Sequence, residues 1–176
     1  MILSLIEARA IDAAINQEDL DALETSVREL TNNNFQNVHI RFKGIEFMAN
    51  NLIAVKDTIV GLKVGDTIEV NYSHYNDGLF VIEEIAGKQI KVQGTPFFVA
   101  NTGGSMLTLV QYPADIARGI KKLIAYDKKM ASKIGIKSES ISRMSTTYYD
   151  VNASENIDGY PASLLSFLTK YEKMRW

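Results

Sequence analysis

The hydrophobic pattern of this chain changes period twice, and that constrains its fold more than any other feature. Residues 1–36 repeat at helical spacing. Ser4 and Glu7 fit a capping box, in which the hydroxyl accepts from the third helical N–H and the carboxylate reaches back to the cap. Leu5, Ala8, Ile11 and Ile15 then predict a helix from Leu5 to Ile15. Asn16 can cap a second helix, whose stripe is Leu20, Leu23, Val27 and Leu30 and whose stop is Thr31-Asn-Asn-Asn34. From Val38 to Val110 the pattern becomes alternating and β-branched: Val38–Phe42, Leu52–Val55, Thr67–Tyr72, Leu79–Ile85, Gln89–Val92 and Met106–Val110 read as strands. Gly65-Asp66, Asn76-Asp77-Gly78, Gly87-Lys88 and Gly103-Gly104 read as the turns between them. Helical spacing then returns. Tyr112-Pro113 places proline at a helix start, Ile116, Ile120, Leu123, Ile124 and Met130 mark one face out to Lys133, and Gly135 suits the stop. Tyr160-Pro161 opens a last helix with Leu164, Leu165, Leu168 and Tyr171 on its face.

Neither helical end is expected to be a domain alone, and the first, with 36 residues, is below the size of about 40 at which a core is usually self-sufficient. The two ends are therefore expected to pack together. The expected class is α+β: a discontinuous helical domain of about four helices, residues 1–36 and 111–176, interrupted by an antiparallel β-sheet or small barrel at 37–110. A short open sheet leaves edges exposed, so this part needs closure or a cover.

Composition removes several chemistries. The 176 residues include no cysteine, which excludes disulfides and thiolate metal sites. His39 and His74 are the only histidines, and neither sits in a metal-ligand spacing. Tyr72, His74, Asn76 and Asp77 read as a strand end and turn. Thr102-Gly-Gly-Ser105 lacks the lysine and following helix of a phosphate loop. No catalytic residue, metal or cofactor is therefore expected, and an enzyme built on the β part is the weakest reading. Glu7, Arg9 and Asp12 interrupt the apolar start too early for a signal peptide, and no stretch reaches the roughly 18 apolar residues of a membrane span, so a soluble protein is expected.

The net charge of −2 does not suggest a dedicated nucleic-acid binder. Charge is unevenly distributed, however. Residues 1–36 carry two basic side chains against seven acidic, residues 37–110 six against seven, and residues 111–176 eleven against seven. The bland reading is solvated faces of opposite sign. The sharper one is that the acidic end of one copy meets the basic end of another.

One segment stands out, Ile136 to Tyr149 (IKSESISRMSTTYY), which lies between two helical patterns. It is too polar for a core, yet Ile141, Met144, Tyr148 and Tyr149 are too apolar for an idle linker. Such residues can bury area against a neighbour, each large side chain contributing about 1.5–3 kcal/mol when fully covered. The alternating Ser and Thr leave the backbone free to pair as an added strand. Tyr171, Arg175 and Trp176, in the final YEKMRW, are of the types that interfaces favour.

The C-terminal third, in order, carries Tyr112-Pro113, a helix containing Ala117 to Tyr126, Gly135 to Ser142, Thr146 to Tyr149, a polar loop from Val151 to Gly159, and Tyr160-Pro161 with a short final helix. This order resembles the head–tail connector (adaptor) family of tailed bacteriophages, and the opening Leu3-Ser-Leu-Ile-Glu-Ala8 is similar to that family's start. The resemblance covers the two helical ends. Within the β part, Lys63–Val70 and Asn76–Ile82 are similar to strand-and-turn patterns of other phage head–tail joining proteins, although the β part as a whole departs from the family's compact, mostly helical members. The resemblance implies a structural virion protein at the head–tail interface, assembled in the host cytoplasm. It implies a ring, commonly of twelve copies, that binds the portal protein, extends the DNA channel without sequence readout and docks a stopper or tail-completion protein. On that reading Ile141, Met144, Tyr148, Tyr149, Tyr171, Arg175 and Trp176 are candidates for the subunit or portal interface. The alternative is a regulatory or nucleic-acid-binding module in which Tyr72, Tyr75, Phe80, Phe97 and Phe98 of the β part stack on bases.

Overall fold

The computed structural model describes residues 1–94, 96–101, 103–131, 138–141, 144–147 and 156–174, the two segments at 138–147 as backbone only. The described residues form an α+β protein with four α-helices and a large antiparallel sheet of eight strands. The chain divides into two compact units, one of Met1 and Asn34–Gln111, the other of Ile2–Asn33 and Tyr112–Trp176.

The first unit is the sheet. Its strands are β1 (Gln36–Lys43), β2 (Glu46–Met48), β3 (Leu52–Ala54), β4 (Thr67–Asn71), β5 (Gly78–Ala86), β6 (Gln89–Val92), β7 (Ala100–Asn101) and β8 (Met106–Val110). Their hydrogen-bonded order is β1-β8-β4-β5-β6-β3-β2-β7, every pairing antiparallel. Strand β4 lies between β8 and β5, and Thr67 to Val70 are buried in succession, as a central strand requires. The core gathers Phe42, Ile45, Phe47, Ile53, Ile68, Ile82, Ile90 and Leu107. Phe97 is sandwiched edge-on between Phe47 and Phe80, each centroid 5.1 Å away, an arrangement that suits the ring quadrupoles.

Two details differ from the sequence pattern. Alternation puts His39 opposite Val38 and Ile40, but the register of β1 on β8 shifts between Asn37 and Arg41, and the intervening residues bulge. Val38 and His39 are consequently both exposed. Strands β2 and β7 are too short to show a period, and only their pairing reveals them.

The second unit contains α1 (Leu5–Arg9), α2 (Gln17–Thr31), α3 (Ala114–Met130) and α4 (Ala162–Leu165), followed by a 3-10 turn, Thr169–Tyr171. Both α1 and α2 start with capping boxes, Ser4 with Glu7 and Asn16 with Asp19. The first helix stops at Arg9, short of the expected Ile15. Asp12 accepts from the amide of Ala14 at 3.1 Å, and Arg9 Nε donates to the Ile15 carbonyl at 3.2 Å. These local bonds offer the backbone an alternative to another helical turn. Asn32, at φ +48°, closes α2 in the left-handed conformation. Among the described residues only α2 and α3 are long helices, so the sheet dominates where a helical domain of about four helices with an inserted sheet was expected.

Side chains tie the early and late segments of this unit together. Lys121 pairs with Glu7 at 3.0 Å, and Tyr112 donates to the buried Glu24 at 2.9 Å. The end of α2 holds the C-terminal strip. Lys173 N–H donates to the Thr31 carbonyl at 2.8 Å, and the amides of Asn32 and Asn33 donate to the carbonyls of Met174 and Tyr171. On α3, Ile116, Gly119, Ile120, Leu123 and Ile124 form the buried stripe. The ring of Phe167 lies directly over Gly119. Two small two-stranded sheets complete the described backbone: β9 (Ser138–Ile141) with β10 (Met144–Thr147), and β11 (Asn156–Ile157) with β12 (Tyr160–Pro161). No helix among the described residues is long and apolar enough to cross a membrane.

Candidate interaction surfaces

The residues singled out for an interface fall in different places. Ile141 and Met144 pair directly across the β9–β10 hairpin. Tyr148, Tyr149, Arg175 and Trp176 lie outside the described residues. Tyr171 is half-buried in its own unit: its hydroxyl donates to Asp115 Oδ1 at 2.7 Å and its ring lies 5.1 Å below Lys170 Nζ. The hydrogen bond to Asp115 raises its pKa, with burial adding to it. Tyr171 thus has structural work within the chain.

The aromatic residues of the β part separate into two sets. Phe80 and Phe97 belong to the core or pack against it. Tyr72, Tyr75 and Phe98 are exposed, and the rings of Tyr75 and Phe98, 74 % and 68 % exposed, meet at a centroid distance of 5.8 Å. Phe97 and Phe98 are neighbours on an extended strip, which sends one ring inward and the next outward.

The loop carrying Tyr75 is rigidly built. Asn76, buried, donates from Nδ2 to the Phe98 carbonyl at 2.8 Å and accepts the Phe98 N–H at 2.9 Å. Its side chain thus pairs with the backbone as a strand would. Asp77 Oδ1 accepts from both the amide and the hydroxyl of the buried Ser73, at 2.7 and 2.5 Å. Burial alone would raise the Asp77 carboxyl, but these Ser73 hydrogen bonds hold it below its ordinary range. The network keeps Tyr72 and His74 at φ +62° and +68°, a region that residues with a Cβ seldom occupy.

The helical unit carries a groove of about 490 Å³ between α2 and the C-terminal half of α3. Ile15, Leu23 and Ile124 contribute its apolar wall, and Asp12, Asp19, Asp127 and Asp158 stand around it. Tyr160 donates to Asp127 Oδ2 at 2.6 Å. Burial raises the Asp127 carboxyl above its ordinary range, and the Tyr160 hydrogen bond opposes that rise. Among the described residues one cation, Lys128, also lines the groove, and its ammonium donates to the Ile11 carbonyl at 2.6 Å. An apolar wall with a carboxylate rim suits a long basic side chain, whose stem and head have those two characters.

A second depression, of about 300 Å³, is bordered by Arg118, Gly119, Lys122, Phe167 and Lys170, with Asp115 among them. Lys170 is ion-paired with Asp115. Arg118 and Lys122 are exposed one helical turn apart on α3. The sequence conceals both surfaces, because each joins residues of α3 to segments distant in the chain, Asp12 to Leu23 in the groove and Ser163 to Lys170 in the depression.

Among the described residues, no group of three or more His, Asp or Glu side chains is arranged to hold a metal ion. No protein-family model matches the sequence, and no curated protein matches it.

Proposed function

We propose that this chain is a structural head–tail connector of a tailed-phage particle. It forms a ring on the portal, extends the DNA channel and docks the stopper or tail. The observation that carries the proposal is the ordered resemblance of the first 36 and last 66 residues to the connector family. The compact unit of Ile2–Asn33 and Tyr112–Trp176 draws on those same two segments, which supports reading them as one discontinuous connector domain with the sheet unit inserted in it. The β9–β10 hairpin adds a second line of support. A two-stranded pair by itself is at best marginally stable in water, so β9 and β10 gain from a third strand or a covering face in a neighbouring subunit.

The test is binding to the portal protein encoded alongside it, read as the mass of the mixed complex. Saturation near one chain per portal subunit is the expected result; no binding at high micromolar concentration refutes the reading. Replacing Ile141, Met144 and Tyr148 together by serine should leave a folded monomer that no longer assembles. A variant that still joined heads to tails would remove these residues from the interface.

The exposed Tyr75–Phe98 pair favours a second reading, a module that stacks on single-stranded nucleic acid. The sheet unit carries six basic against seven acidic side chains, which weighs against it. Salt-dependent binding of an oligonucleotide, lost in Tyr75→Ala, would support this module; a flat response at low salt removes it.

A further inference from the structure

The two surfaces on α3 have opposite charge and face opposite ways. At about 100° per residue, Asp115, Arg118, Gly119 and Lys122 point to one side of the helix axis. Ile124, Asp127, Lys128 and Ala131 point about 180° away from them. The buried stripe of Ile116, Ile120 and Leu123 lies between the two sets. A chain with complementary surfaces on opposite flanks cannot satisfy them within itself, but two copies placed head to tail can. Such a contact is heterologous: it uses different patches on the two partners and leaves one of each free for the next copy. Repetition gives a ring when the rotation closes.

We propose that the groove between α2 and α3 receives Arg118 and Lys122 of a second copy. The inference rests on the ring reading and names its contact. Arg118 and Lys122 extend from the surface with aliphatic stems that match Ile15, Leu23 and Ile124, while their heads meet Asp12, Asp19 and Asp158 at the rim. Lys128 is engaged by the Ile11 carbonyl and contributes one opposing charge, so the lining is acidic overall among the described residues. Lys170 stays with Asp115 in its own chain. The same polarity appears along the sequence, where residues 1–36 carry an excess of five acidic side chains and residues 111–176 an excess of four basic ones.

A charge-swap cycle on the full chain tests this. Arg118→Glu reverses the donor surface and Asp158→Lys reverses the groove rim. Both positions are exposed, so melting curves should stay close to wild type. Sedimentation of the chain alone, up to about 1 mM and at low salt, should show association that weakens as salt rises. Each single reversal should weaken that association about tenfold, and the double variant should recover most of the loss. The proposal is overturned by a chain that stays monomeric throughout, by single reversals that associate as well as wild type, or by a double variant that shows no recovery. The portal experiment separates this contact from the reading beneath it. Wild type that saturates the portal while both reversals assemble equally well removes only this contact. Wild type that does not bind the portal removes the ring.

Discussion

Gly119 lies under an aromatic ring, and replacing it by alanine sets two effects of known size against each other. In a helix interior alanine is favoured over glycine by about 1 kcal/mol. A methyl carbon added at Gly119, however, would lie 2.5 Å from Cε1 of Phe167 and closer still to Cζ and Cε2. No Cβ tolerates such distances, so the ring must leave. Phe167 is half-buried, so displacing its ring costs about half of the roughly 1.5–3 kcal/mol of a fully buried side chain, about 0.8–1.5 kcal/mol. Displacing it also loosens the strip from Ala162 to Tyr171, which holds the buried Leu165 and Leu168. Ring and strip together outweigh the helix-propensity gain, and Gly119→Ala is expected to destabilise the protein by up to about 1 kcal/mol. Urea unfolding followed by circular dichroism measures this as a lower midpoint at unchanged slope. The decisive comparison is the same substitution in a Phe167→Ala background, where the clash is gone. There Gly119→Ala should stabilise by about 1 kcal/mol, so the sign reverses between the two backgrounds. A stabilising effect in both would show that the ring does not pack on Gly119.

Three further outcomes are expected. Asn76→Ala removes both hydrogen bonds to Phe98 and leaves that backbone N–H and C=O unpaired, which should cost about 1–3 kcal/mol and raise hydrogen exchange at Phe98; unchanged exchange there would show that Asn76 is not the clamp. Tyr112→Phe withdraws a donor from the buried Glu24 carboxylate and should lower stability by about 1.5–3 kcal/mol, read by thermal unfolding; a neutral result would mean that the remaining partners of Glu24 suffice. Asp127 holds its proton to higher pH when folded than when unfolded, because burial raises its pKa. Its favourable contribution is therefore complete below about 3.8, the unfolded value, and is lost as pH rises through the folded one. Asp127→Asn removes that loss while keeping an acceptor for Tyr160, so the variant should gain on wild type as pH rises through this window. A difference independent of pH would refute the assignment.

What could be read from the residues depended on how local the determining interaction was. The capping role of Asn16 and the stop at Asn32 are set within one helical turn, and both were visible. So were strands β1, β3, β4, β5, β6 and β8, because runs rich in β-branched residues between turn signals define them locally. The early end of α1 was not visible, since Asp12 reads equally well as the polar face of a longer helix until its bond to the Ala14 amide is known. Strand β7 has two residues and no period; it exists because Phe47 and Glu46 pair with it. The five aromatics considered for base stacking looked equivalent, yet Phe97 is enclosed by Phe47 and Phe80 while Phe98, held by the Asn76 clamp, faces solvent, a difference made by contacts distant in sequence. The acidic groove was out of reach for a simpler reason, because Asp19 and Asp158 become neighbours only after folding.

The sheet unit has its entrance and exit side by side. Gln36 pairs with Val110, and the Gln111 N–H donates to the Phe35 carbonyl at 2.9 Å, so the chain leaves the unit about one strand spacing from where it entered. A segment with that geometry behaves like a cassette. It can be excised and the gap closed by a few flexible residues, or exchanged for another hairpin-ended module of different length, without lengthening the path between α2 and α3. Lineages carrying the same helical frame are then free to differ at this position by whole domains, and a designer can use the junction as a port for a reporter or a binding module.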